Sequence, residues 1–166
     1  MFESLLPHAD FMPRIQQHGP HRWAEETIGH NRVVGRVYAL RVTLCGYGFC
    51  EDLGDEAAEL VFTVCAYDAL DPEAEEEVFY SGSETKQHFS DKPFRKKVIK
   101  LIATLGCHLV EDVKPKRLIF VTKFPALPLA AAPKYELLCE KILALGYTCS
   151  KYETTDRRQL WDMRRT

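Results

Sequence analysis

From residue 36 to 45 the chain alternates: Tyr38, Leu40, Val42 and Leu44 fall on one face, Val37, Ala39, Arg41 and Thr43 on the other. A period of two with β-branched and aromatic residues is the pattern of a strand, here placed over 33–50. Leu53-Gly54-Asp55 predicts a reversal, and Leu60, Phe62, Val64 and Ala66 predict a second strand over 59–67 that closes a hairpin. An acidic loop over 68–77, containing Pro72, leads to a short third strand at 78–80.

The period then lengthens. Phe94, Val98, Leu101, Ile102 and Leu105 form one apolar stripe at helical spacing. Ser90 or Asp91 offers a cap, Pro93 suits a first turn, and Gly106 predicts the stop. Strands are expected over 107–113 and 117–122, around the turn Lys114-Pro115-Lys116. An apolar connector punctuated by proline, 124–133, precedes a second helix over 134–145 carrying Tyr135, Leu138, Ile142 and Leu145, with Gly146 as its stop. Strands over 147–153 and 159–164 follow. Both helices end in Leu-Gly and lead into strand, polar turn and strand, so the pattern reads as two α-β-β units. Residues 1–31 are the least regular: one helical turn over 2–6, a turn at His18-Gly19-Pro20, a short helix over 23–28. This arm is expected to pack Phe2, Leu5, Phe11 and Trp23 onto the body.

The order β-β-β-α-β-β-α-β-β after that arm predicts an α+β fold in a single domain, 1–166. Its mostly antiparallel sheet has about six or seven strands, with the two main helices on one face. Leu40, Val42, Leu44, Phe62, Val64, Val98, Leu101, Ile102, Leu118, Phe120, Leu138 and Ile142 should share a core. The α-β-β-β-α-β-β-α part of this order loosely resembles the small acidic secretion chaperones, which implies binding to another protein. The basic second half and the additional C-terminal strands depart from that family's pattern.

Composition adds limits. The 166 residues are 46% hydrophobic and 28% charged, an ordinary globular balance. The connector 124–133 is too short, and too rich in proline, to cross a bilayer, so no membrane association is expected. The start MFESLLPHADFMPR lacks the basic and apolar regions of a signal peptide, which predicts a cytoplasmic location. Six scattered cysteines then read as small buried apolar side chains, with no metal and no cofactor expected. Cys45 and Cys50 form a pair without a matching second pair.

Charge changes the picture most. The net charge of -2 divides into -10 over residues 1–83 and +8 over residues 84–166. Such blocks steer partners rather than dictate folds. Two candidate partner-binding sets follow: a basic face of Arg95, Lys96, Lys100, Lys114, Lys116 and Arg117, and an acidic loop of Asp71, Glu73, Glu75, Glu76 and Glu77.

Catalytic signatures are sparse. No phosphate-binding glycine loop, nucleophile elbow or zinc-protease motif occurs. His18 and His21 have the spacing of a metal pair but no acidic or cysteine companion, so surface histidines are the plainer reading. His88, His108 and Tyr152 with nearby cations could compose a metal-independent ribonuclease site, as could groups of many basic domains. In a strand, Trp161 and Met163 share a face and read as core. The expected function is therefore non-catalytic recognition of a protein partner by an adaptor, chaperone, immunity or inhibitor type of domain, with a homodimer possible. The alternative is nucleic-acid binding or RNA cleavage through the basic C-terminal half.

Overall fold

The computed structural model describes residues 2–8, 11–46, 57–71, 74, 76–79, 82–122 and 132–166. The elements in chain order are β1 (Phe2–Ser4), β2 (Ile15–His18), β3 (His21–Asn31), β4 (Arg36–Cys45), β5 (Ala57–Asp68), β6 (Glu77–Phe79), α1 (Gly82–His88), α2 (Lys92–Val113), β7 (Arg117–Val121), α3 (Ala132–Leu143), β8 (Tyr147–Glu153) and β9 (Gln159–Arg165). The α+β class stands. The nine strands join one sheet ordered β1-β3-β4-β5-β7-β9-β8, with β2 also on β3 and β6 also on β5.

The first 31 residues depart from the expected irregular arm. The segment expected as a short helix over 23–28 lies inside β3, which pairs antiparallel with β4 along its length. Pairing with a strongly alternating neighbour outweighs the local preference of Ala-Glu-Glu for helix. Gly19, at φ 56, and Pro20 make the two-residue turn between β2 and β3. Residues 2–4, expected in a helical turn, pair with β3 at Gly29–Asn31. The Phe2 ring occupies the space that a side chain at 29 would need.

The helix expected to stop at Gly106 runs on to Val113, and the strand expected over 107–113 is its second half. Asp91 caps the start, accepting from the Phe94 amide at 2.9 Å, and Lys114 in the left-handed region caps the end. Gly106 is no stop because it lies on the buried face. A Cβ there would stand 3.0 Å from Leu138 and 3.3 Å from Leu60, so glycine lets α2 approach α3 and β5. The first α-β-β unit is thus replaced by a helix and one strand, and β7 pairs with β5 in parallel on one edge and with β9 antiparallel on the other. The second unit, α3-β8-β9, forms as expected. The helix-first order behind the chaperone resemblance is absent, because six strands precede α1 and no strand separates α1 from α2.

Helices α2 and α3 bury their stripes on one face of the sheet. The core there joins Leu40, Val42, Leu44, Val64, Val98, Leu101, Ile102, Leu118, Phe120, Leu138 and Ile142, with Phe62 partly buried at its margin. Phe120, Tyr135 and Trp161 stack at one end, Tyr135 on Trp161 at 4.8 Å between ring centroids. Phe2, Tyr38, Phe89 and Phe94 cluster at the other. Register places Ala39, Cys65, Ile119 and Leu160 on the opposite face of the sheet, and all four are buried. No described helix is long and apolar enough to cross a membrane.

Candidate functional site

One end of the sheet carries exposed apolar side chains. The turn between β3 and β4 is held by the Val33 amide donating to Asn31 Oδ1 and by Gly35 at φ 63. Val33 is 79% exposed, Val34 58% and Leu70 89%. The Ala69 amide donates to the Gly35 carbonyl at 2.7 Å, which brings Leu70 beside the turn. Asp68 accepts from the Leu70 amide, and exposed Asp71 follows. Three large aliphatic groups therefore project together at an acidic margin, where isolated exposure would have been unremarkable.

The acidic set proposed from sequence divides here. Asp71 lies at this margin. Glu76 turns inward to Arg41, and Glu77 lies 3.5 Å from Arg36. Glu73 and Glu75 lie outside the described residues, as do Cys50 and most of the 124–133 connector. The basic set does not form one face. Arg95 donates to the carbonyls of Phe89 and Ser90, and Arg117 pairs with buried Asp162 at 2.9 Å. Lys96 and Lys100 stand exposed on α2, whereas Lys114 and Lys116 lie at and beyond its other end. Eighteen residues separate Lys96 from Lys114, about 27 Å of helix. That exceeds the roughly 10 Å over which exposed charges act at 0.1 M salt.

The other candidate groups are likewise apart. His88 joins the aromatic cluster, its Nδ1 3.3 Å from the Tyr38 hydroxyl. His108 lies about 24 Å along α2 from its first residue. His18 and His21 face each other across the β2–β3 turn. No group of three or more metal-binding side chains occurs among the described residues.

Sequence reasoning missed a polar network on the sheet face away from α2 and α3. Arg41 Nε donates to Glu25 at 2.6 Å, and its two terminal nitrogens each donate to Glu76 at 2.9 Å. Arg41 also donates to the Tyr67 hydroxyl, which donates in turn to Glu25. Burial, a hydrogen bond with Glu76 and the charge of Glu76 hold the Cys65 thiol up at about 12, so it is protonated and unreactive. Burial would raise Glu76, yet hydrogen bonds from Cys65, Arg41 and Tyr67 hold its carboxyl below the ordinary range.

Beside this network lies a cavity of about 510 Å³. On one edge of β5, β7 takes residues 57–59 and β6 takes 64–66, so 60–63 have no strand partner there among the described residues. The cavity fills this gap, with Val61, Val78 and Val121 in its walls and Phe62 and Tyr135 on the helix side. Arg41, Glu59 and Arg158 supply charge. Lys134 on the first turn of α3 does not line the cavity, but its amine stands 4.9 Å from the ring centres of both Phe62 and Tyr135, which do. Burial lowers the pKa of that amine.

Comparison with protein families, curated proteins and solved structures finds no match. Signals for the missed residues were faint in the sequence: Arg41 is a charge in the middle of an alternating strand, and Val33-Val34 stands where a polar turn is usual.

Proposed function

We propose that this protein recognises another protein, without catalysis, through the end of the sheet that carries Val33, Val34 and Leu70. The observation behind this reading is the joint exposure of these side chains at one margin. Apolar anchors within a polar rim are the anatomy of recognition surfaces. Asp68 and Asp71, in a half of the chain with net charge -10, favour a partner with an apolar centre and a basic rim. The dispersal of the basic groups along α2 argues for this end over the basic one.

The test uses the wild-type chain, Leu70→Asp and the double variant Lys96→Glu, Lys100→Glu as baits, with the captured protein then purified and its binding measured by calorimetry. Leu70→Asp should weaken binding at least about tenfold, as loss of an apolar anchor does. The lysine variant should bind no worse than wild type. Equal binding by wild type and Leu70→Asp overturns the reading. Gel-shift assays with short RNA and DNA over a salt series test the alternative. A shift lost both with salt and in the lysine variant would assign the function to nucleic acid instead.

A further inference from the structure

The cavity in the sheet gap makes a separate demand, independent of the apolar margin. Its volume is that of a small-molecule site, and its walls combine aliphatic and aromatic surface with a few charged groups. The state of those charges decides the sign of an occupant. Arg41 gives four of its five donors to Glu25, Glu76 and Tyr67, and two carboxylates already balance its charge. Glu59 is buried and engaged with a partner of its own. Arg158 gives Nε to Asp156 at 2.6 Å, and its two terminal nitrogens have no acceptor among the described residues. Lys134 lies over two rings of the cavity wall, and among the described residues no carboxylate pairs with it. The unmet requirement at the wall is thus for negative charge beside apolar surface.

We infer that this cavity binds a small amphipathic carboxylate, its apolar body against Val61, Val121 and Tyr135 and its carboxylate on Lys134. Ring faces alone attract the ammonium weakly, and a carboxylate would supply the charge-assisted hydrogen bond that it lacks. Burial disfavours the ammonium, and a carboxylate beside it would offset that cost. Arg158, itself a lining residue, adds a second positive group.

Titration with 4-phenylbutyrate, followed by NMR of the valine methyls, tests this, with 4-phenylbutyramide as the neutral control. Saturable shifts at Val61, Val78 and Val121 are expected for the acid, with the amide at least about tenfold weaker. Lys134→Met should weaken the acid by a similar factor and leave the amide unchanged, and Lys134→Arg should retain acid binding. Val121→Phe, which fills the cavity, should abolish both, and circular dichroism checks that each variant folds. The inference falls if millimolar acid gives no saturable shift, if amide and acid bind alike, or if folded Lys134→Met binds the acid as wild type does. None of these outcomes bears on the Leu70 surface, so the two proposals fail separately.

Discussion

Arg41 shows how a single charged side chain can sit in a strand whose neighbours are buried. Its guanidinium has five donors in a planar fork, and Glu25, Glu76 and Tyr67 take up four of them. The group is held firmly in its charged form, since hydrogen bonds to Glu76 and the nearby charges outweigh the burial that would lower its pKa. Glu76 carries the corresponding pH dependence. Its carboxyl ionises below the ordinary value of 4.5 in the folded protein, so its contribution is complete above that value. It is lost as pH falls through the depressed value, because the folded carboxylate must then accept a proton. Glu76→Gln should therefore cost about 1–3 kcal/mol in urea unfolding at pH 7, the range for a hydrogen-bonded charge. The gap between the two proteins should narrow towards pH 3, and a gap independent of pH would contradict this role. Alternation in the sequence placed Arg41 on the correct face. Its partners lie 16 and 35 residues away, and no local pattern encodes which distant carboxylates a folded sheet brings together.

At the scale of elements, the strands β4, β5, β7, β8 and β9 and the helix α3 follow their periodicity because each sets a row of apolar side chains against the core, even where Ala39, Cys65, Ile119 and Leu160 are buried on the other face of the sheet as well. The errors arise where a local signal has two meanings. Gly106 has the position of a helix stop, yet the apolar stripe continues through Leu109 and Val110, which α2 buries beyond the glycine. β3 mixes Glu25, Glu26 and Thr27 with Ala24 and Ile28 and shifts its register between Thr27 and Gly29, so its alternation is broken in sequence but repaired by pairing. The continuation of α2 can be tested. Leu109 is fully buried in the helix reading, and Leu109→Ala should cost about 2–5 kcal/mol in chemical denaturation. Gly106→Val should cost about 1–3 kcal/mol, since buried Leu138 and Leu60 leave no space for the added methyl groups. A tolerated valine would mean that α2 does not pass close to α3 at this point.

Across the whole molecule, folding leaves the charge asymmetry of the two halves in place. Arg41 pairs with Glu25 and Glu76 and Arg36 with Glu77 in the first half, while Arg117 pairs with Asp162, Lys151 with Glu136 and Arg158 with Asp156 in the second. Each of these pairs stays inside its own half, and Arg22 with Asp112 at 3.7 Å joins a base of the acidic half to an acid of the basic one, so pairing among the described residues does not cancel the excess of either half. A basic partner approaching Val33, Val34 and Leu70 meets attraction from the first half and repulsion from the second. Reversing Lys96, Lys100 and Lys116 to Glu takes the net charge from -2 to -8, two charges for each residue. Lys114 is left alone because it caps α2 in the left-handed region, where a cation suits the helix end. All three reversed residues are exposed, so each should alter stability by no more than about 0.5 kcal/mol. In stopped-flow measurements at low ionic strength, association with a basic partner should become faster, and dissociation should change little. The acceleration should fade as salt shortens the screening length. Asp68→Asn with Asp71→Asn should act in the opposite sense, and the asparagine at 68 keeps an oxygen to accept from the Leu70 amide. Slower association in the lysine variant would place the partner on the basic groups and remove the acidic margin as the docking site.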